Sequence, residues 1–162
     1  MAILPILTAD DARLRRKARR VPSVDGSIQR LIDDMIDTMH AAPGVGLAAT
    51  QVGVPLRIAV IQLDPEDEVI TLINPEVVKR SGEREVEEGC LSVPGYRGKL
   101  KRALSVTVKA HDRSGKPVRV KGTELLAQAL EHELDHLNGT LYIDHLESQE
   151  HVWKIEPSEA DD

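Results

Sequence analysis

Leu130-Glu131-His132-Glu133-Leu134-Asp135-His136-Leu137-Asn138-Gly139 is the stretch around which the rest of this chain must be arranged. On a helix, residues four apart stack on one face, so His132 and His136 present their rings together. Leu125, Ala129, His132 and His136 form one stripe of such a helix, and Leu126, Leu130, Leu134 and Leu137 form another. A helix that is apolar on two faces is a buried one. This reading puts the segment at the centre of the fold and the histidines inside it. Buried imidazoles need partners, and a shared metal ion is one. Glu133 lies about 100° further round the helix, close enough to reach a water on that metal but not placed as a third ligand of the pair. Thr123, after Gly122, is predicted to cap the helix start, and Gly139 to close its end. The pattern points to metal-assisted hydrolysis. The bland alternative is a surface helix with two solvated histidines, and the second apolar stripe argues against it.

A length of 162 residues fits one domain with a hydrophobic core. No apolar run is long enough to span a bilayer, and Met1-Ala2-Ile3-Leu4-Pro5 opens no signal-peptide pattern, so a cytoplasmic, membrane-free protein is expected. Arg13 to Arg20 is basic but follows Asp10-Asp11, and reads as a solvated surface segment. The net charge is −6 and the only aromatics are Trp153, Tyr96 and Tyr142, which argues against direct nucleic-acid binding. The single Cys90 excludes an internal disulfide.

Ile28, Leu31, Ile32, Met35, Ile36 and Met39 have helical spacing over residues 27–41, and Pro43-Gly44 stops that helix. Residues 57–63 and 69–73 read as strands around an Asp64-Pro65-Glu66-Asp67 turn, with a further strand near Glu76 to Arg80. Leu104, Val106, Val108 and Ala110 alternate with polar residues, as do Val118 and Val120 after Ser114-Gly115, which predicts a hairpin. The fold class is therefore α+β: antiparallel sheets packed around a central metal-binding helix, with an N-terminal helix and a C-terminal helix. Pro157 to Asp162 are polar and expected to fray.

A catalytic zinc-type site needs a third protein ligand. One protease pattern would place a histidine at position 142, but the chain has Tyr142 there. A downstream glutamate is a second candidate, and Glu156 lies far enough along. Cys90 is the third, as a soft thiolate ligand.

Gly44-Val45-Gly46-Leu47-Ala48-Ala49-Thr50-Gln51-Val52-Gly53, Glu88-Gly89-Cys90-Leu91-Ser92-Val93-Pro94 and His132-Glu133-Leu134-Asp135-His136-Leu137-Asn138-Gly139 together resemble the three signature motifs of bacterial peptide deformylases, in their order and spacing. The resemblance runs from Leu4-Pro5 to about Glu147. It implies a catalytic domain over 1–147, with 148–162 as a C-terminal helix and acidic tail of the same domain. It implies that Cys90, His132 and His136 bind a divalent metal, Fe2+ in the cell with Zn2+, Ni2+ or Co2+ as substitutes. By the same resemblance Glu133 is the catalytic acid/base, and Gln51 and the backbone N–H of Leu91 flank the reacting carbonyl. Gly44, Gly46 and Gly89 then let backbone approach a bound peptide. Val45, Leu125 and Ala129 line a methionine pocket, and Arg97 sits at the open end of the groove. Arg102 supports Glu88, while Asp135 can orient a ligand histidine through its free ring N–H.

The implied reaction removes formyl from the N-terminal methionine of newly made polypeptides, which are thus the expected partners. Some relatives carry a basic C-terminal helix for ribosome docking; Ser148 to Asp162 is mostly acidic here, so ribosome proximity is expected without docking by this tail. Two other functions compete: a metallo-endopeptidase with Glu156 as ligand, and a non-catalytic module stabilised by metal. The Glu88-Gly89-Cys90-Leu91-Ser92 motif argues against the first, and the intact Glu133 against the second.

Overall fold

Two helices enclose a strand that has no polar side chain. The computed structural model describes residues 2–155. Helix α1 spans Gly26–Ala41, its N-terminus capped by Asp25, whose side chain accepts from the Ile28 N–H. Strand β1 is Gly46–Ala48, and β2 is Ile58–Ile61. Ile58 and Val60 pack with Ile28, Ile32, Met35 and Met39 of α1, while Ile61 packs on the opposite side with Leu130 and Leu134. All four β2 residues are buried. That explains a continuous apolar run in place of alternation.

The expected strands at 69–73 and 76–80 are one strand, β3, Ile70–Ser81. Its register shifts between Ile73 and Glu76 and again between Val77 and Lys79. Asn74-Pro75 reads as a break because Asn74 has φ 54° and proline cannot donate to a ladder, yet a bulge accommodates both. Strands β4 (Arg84–Cys90) and β5 (Val93–Arg102) form a hairpin, β6 (Ser105–His111) and β7 (Pro117–Thr123) form the predicted one, and α2 follows at Leu125–Leu137. A five-stranded antiparallel sheet has the order β1-β2-β3-β6-β7. Helix α2 lies against it with Ala127, Ala129, Leu130 and Leu134 on Leu72, Val106 and Val108. The α+β class and the central helix stand as expected.

Two local expectations differ. Thr123 is not a helix cap: it ends β7, paired with Ser105, and Glu124 makes the corner at φ 53° without a side-chain cap. The ladder claims Thr123 before the helix can. The expected C-terminal helix is also not what the described residues form. After a short 3-10 turn at Gln149–His151, Val152–Lys154 is a strand, β8, antiparallel to β5 in a second sheet of order β4-β5-β8. Val152 and Trp153 favour extended backbone, and the open edge of β5 offers it partners. Glu156 and Pro157 to Asp162 lie outside the described residues.

Candidate metal centre

Helix α2 sets His132 and His136 one turn apart on the face turned to the β4–β5 hairpin. Their Nε2 atoms are 3.3 Å from each other. Cys90 enters from the end of β4, where a bulge after Glu88 and the tight return to Val93 swing its sulfur inward. Its Sγ is 3.2 Å from His136 Nε2. The three donor atoms lie within 4.8 Å of one another. Tetrahedral ligation by one thiolate and two imidazoles separates neighbouring donors by about 3.3–3.6 Å. The donor set therefore fits a first-row metal, and Cys90, not position 142, completes it. Tyr142 instead stacks its ring on His132, centroids 6.4 Å apart.

Glu88 holds His132 from behind. Its Oε1 accepts from His132 Nδ1, which leaves Nε2 to face the cluster. Arg102 forks onto both Glu88 oxygens at 2.7 and 2.9 Å, as the sequence reading expected. Burial alone would raise the Glu88 carboxyl, but the bonds from His132 and Arg102 outweigh it and hold the group at about 2. Asp135 does not orient a ligand histidine. It accepts from Arg102 at 2.7 Å and pairs with His145 Nε2 at 2.8 Å. It lies three residues after His132, on the side of α2 that meets Arg102, so it reaches His132 only through Arg102 and Glu88.

Glu133 is buried, and its Oε1 has no hydrogen-bond partner among the described residues. Burial pushes this carboxyl up to about 7, with the His132 charge acting the other way. A carboxyl ionising near neutrality is poised to take and return a proton. Gly46 makes the space: a Cβ there would meet the Glu133 carboxylate oxygen, with Cδ at 3.0 Å and Cγ at 3.2 Å. Gln51 accepts from Ala48 N–H at 2.9 Å through Oε1, which turns its Nε2 toward Ser92 Oγ at 3.2 Å and Cys90 Sγ at 3.8 Å. Ser92, fully buried, also donates its N–H to Cys90 Sγ at 3.4 Å.

The geometry has a counterpart in known sequences. A profile described as polypeptide deformylase matches residues 3–152. The chain belongs to this family. A peptide deformylase of Dehalococcoides mccartyi (strain CBDB1) is 57% identical over 159 residues, covering 98% of this chain and 95% of its own length. The crystal structure of a peptide deformylase from Legionella pneumophila superposes with a TM-score of 0.88 at 53% identity, over 90% of this chain and 86% of that one. A peptide deformylase from Synechococcus elongatus in complex with actinonin gives 0.88 at 38% identity, over 91% and 81%.

The remaining residues expected of a deformylase site separate into two groups. Gly44 packs so closely on Leu91 that a Cβ would come within 2.8 Å of its Cδ1, so the first and second motifs touch. Gly89 faces Arg97: a Cβ there would lie 3.5 Å from the guanidinium. Arg97 is half-exposed and 4.0 Å from Glu87. Val45 and Leu125 are 47% and 52% exposed, whereas Ala129 is buried in the core with Leu130 and Leu134. Ser92, Tyr142 and His145 were missed. Ser92 stood inside a quoted motif and position 142 was marked only as the place of an absent histidine, whereas nothing in the local pattern marks His145.

Proposed function

We infer that this chain is a metal-dependent deformylase that hydrolyses the formyl group from the N-terminal formylmethionine of newly made polypeptides. The observation that carries this reading is a three-donor Cys90–His132–His136 cluster beside a buried Glu133 whose Oε1 has no hydrogen-bond partner among the described residues. Cys90, His132 and His136 are proposed to hold one divalent metal. When bound, it supplies a Lewis acid that acidifies water and polarises the formyl oxygen. Ferrous iron is the ion proposed for the cell, by the family resemblance, with zinc, nickel or cobalt as substitutes.

The chain's own residues divide the rest of the work. Glu133 accepts the proton of the attacking water. As the formyl C–N bond breaks, it gives that proton to the leaving amine, and the products are formate and a free methionine N-terminus. The Gln51 amide and the Leu91 N–H are the proposed donors to the developing oxyanion. Losing one such donor typically costs about 100-fold to 1,000-fold in rate. Gln51 is fixed for this by its bond to the Ala48 N–H.

Strand β1 is the edge of its sheet, so an extended substrate can add to Gly44-Val45-Gly46 by backbone pairing. Such pairing is indifferent to substrate side chains, which suits an enzyme acting on most new chains. Val45, Leu125 and Ala129 are proposed to receive the methionine, with Gly89 and Arg97 beside the rest of the peptide. Among the described residues no helix is long and apolar enough to cross a membrane. The proposed compartment is the cytoplasm, near the ribosome that supplies the substrate. Formate release from formyl-Met-Ala-Ser tests the reading. It is expected with metal present and abolished by chelator; release that is absent from metal-loaded protein defeats it.

A further inference from the structure

The cations of this acidic chain are unevenly spread. Arg16, Lys17, Arg19 and Arg20 are all exposed, and none forms an ion pair among the described residues. Their neighbours Arg13 and Arg15 are occupied by Asp11 and Asp144. The backbone beneath them is pinned as an extended strap. Ala18 N–H donates to Leu137 O at 2.8 Å, Arg19 N–H to Pro55 O at 2.8 Å, and Arg57 N–H to Arg19 O at 2.9 Å. Asn74 clamps Val21 at both ends of its amide, at 2.7 and 2.9 Å. Asn74 holds φ 54° to do so, a conformation asparagine tolerates better than most side chains.

The strap runs into a groove. A cavity of about 440 Å³ is lined by Arg20, Lys109, His111 and Arg119, with Glu76 as its one carboxylate. A second cavity of about 330 Å³ shares Arg20, Asn74 and His111. Neither cavity is lined by any residue of the metal centre. Glu76 is spent on Lys109 at 3.3 Å, which leaves Arg20 and Arg119 without a carboxylate partner among the described residues.

The net charge of −6 and the few aromatics speak against RNA binding by the surface at large, but not by one face most of whose cations lack carboxylate partners among the described residues, and we propose that this strap and groove bind the phosphate backbone of RNA. The backbone carrying the arginines and Lys17 is pinned, so engaging phosphates costs side-chain freedom but little backbone freedom. No Phe, Tyr or Trp lines either cavity and His111 is the one ring in both, so base stacking contributes little beside the charges. Binding is therefore electrostatic, indifferent to base sequence and steeply salt-dependent. The acidic remainder of the surface repels RNA and restricts it to this face. The choice of RNA as the phosphate source rests on the deformylase reading, since a chain being made is tethered to RNA-rich machinery; the cationic geometry does not rest on it.

The test is fluorescence anisotropy of a labelled single-stranded RNA about 16 nucleotides long, titrated with the metal-loaded full chain. A triple variant, Lys17→Gln, Arg19→Gln and Arg20→Gln, is compared with an equal loss of charge on the other sheet, Lys99→Gln, Lys101→Gln and Lys154→Gln. The expected result is roughly tenfold or greater weakening for the strap variant only, with the slope of log affinity against log salt reduced by about 2. Formate release from formyl-Met-Ala-Ser should be unchanged in both variants. If both triples weaken RNA binding alike, or the wild type does not bind at low salt, the proposal is overturned. Displacement of RNA by inorganic phosphate at equal phosphate concentration also overturns it, by reducing the site to a pocket for a free anion. So does binding to anionic phospholipid vesicles without binding to RNA. Formate release is read separately, so a protein that binds RNA as expected but releases no formate defeats the deformylase reading and not the cationic surface.

Discussion

Arg102 grips Glu88 with two parallel hydrogen bonds, Nη2 to Oε1 at 2.7 Å and Nε to Oε2 at 2.9 Å, with both side chains buried. Glu88 in turn accepts from His132, so the guanidinium fixes a ring of the candidate metal cluster that it never touches. A buried ion pair is costly to break from one side, because the remaining charge stays buried without its partner. Arg102→Met should destabilise the fold by about 3–5 kcal/mol. It should also weaken metal binding by about 10-fold to 100-fold, as loss of such a support does. Thermal melting and competition with a chromogenic chelator read the two effects. Unchanged metal affinity in a folded variant would mean that His132 is positioned without this support.

Gly46 leaves room for the Glu133 carboxylate and for little else. A methyl group there overlaps Glu133 at its oxygen and presses on Cδ and Cγ. Gly46→Ala should shift the carboxylate, keep the metal and lower kcat by about 100-fold or more, since a displaced acid/base no longer reaches the reacting atoms. Glu133→Gln should do the same without steric change. Metal content by atomic absorption and turnover at pH 7 check both. Near-normal kcat in Glu133→Gln removes Glu133 from the proton transfer.

Cys90 is the one donor of the cluster that spacing did not single out from Glu156. Among the described residues the cluster is complete with Cys90. Cys90→Ser should lose the metal or most activity, because a hydroxyl is a poorer ligand than a thiolate at neutral pH. Glu156→Ala should do neither. The opposite pair of results would restore the endopeptidase reading.

What the sequence concealed and what it exposed follow from burial. Helix α1 and the β6–β7 hairpin were legible because each has one wet face, so apolar residues recur at 3.6 or 2.0 positions. The β4–β5 hairpin was not. Its inward residues include Glu88 and Arg102 as well as Val86 and Leu100, and a buried ion pair erases the alternation that marks a strand. The metal cluster was legible in part. His132 and His136 come from one helix and signal themselves by local spacing, whereas Cys90 arrives from a distant bulge. Only the resemblance of the whole motif set picked Cys90 out. Asp135 reads in sequence as a group that can orient a ligand histidine through its free ring N–H, but its partners Arg102 and His145 come from other elements.

Asp25 supplies a pH-dependent prediction away from the metal centre. Its side chain caps α1, and the hydrogen bonds from Ser27 and the Ile28 N–H hold its carboxyl below the ordinary aspartate value of 3.8. A depressed acid stabilises the fold above its unfolded pKa and stops doing so as pH falls through the folded one. Asp25→Ala should therefore lower Tm at pH 7, and the gap to wild type should close once the pH is well below 3.8. A gap that persists undiminished in acid would show that the charge and its hydrogen bonds are not the source of the effect.

Ala129 tests the methionine pocket. It lies on the same helical stripe as Leu125 and His132, one turn before the metal cluster, and it is 6% exposed. Its neighbours Ala127, Leu130 and Leu134 belong to the core against β6, so a purely packing role is the competing explanation. If Val45, Leu125 and Ala129 receive the substrate thioether, then Ala129→Phe fills the space it enters. kcat/KM for formyl-Met peptides should fall by roughly 10-fold to 200-fold, or about 1–3 kcal/mol, with metal retained. Overpacking alone costs about 1–3 kcal/mol of stability, so Tm must be read beside the kinetics. A smaller formylated residue, formyl-Ala, separates the two explanations. A filled pocket penalises formyl-Met far more than formyl-Ala, whereas a distorted core slows both equally. Equal losses, or wild-type kinetics in a folded Ala129→Phe, make Ala129 core filler and move the pocket to another face of α2.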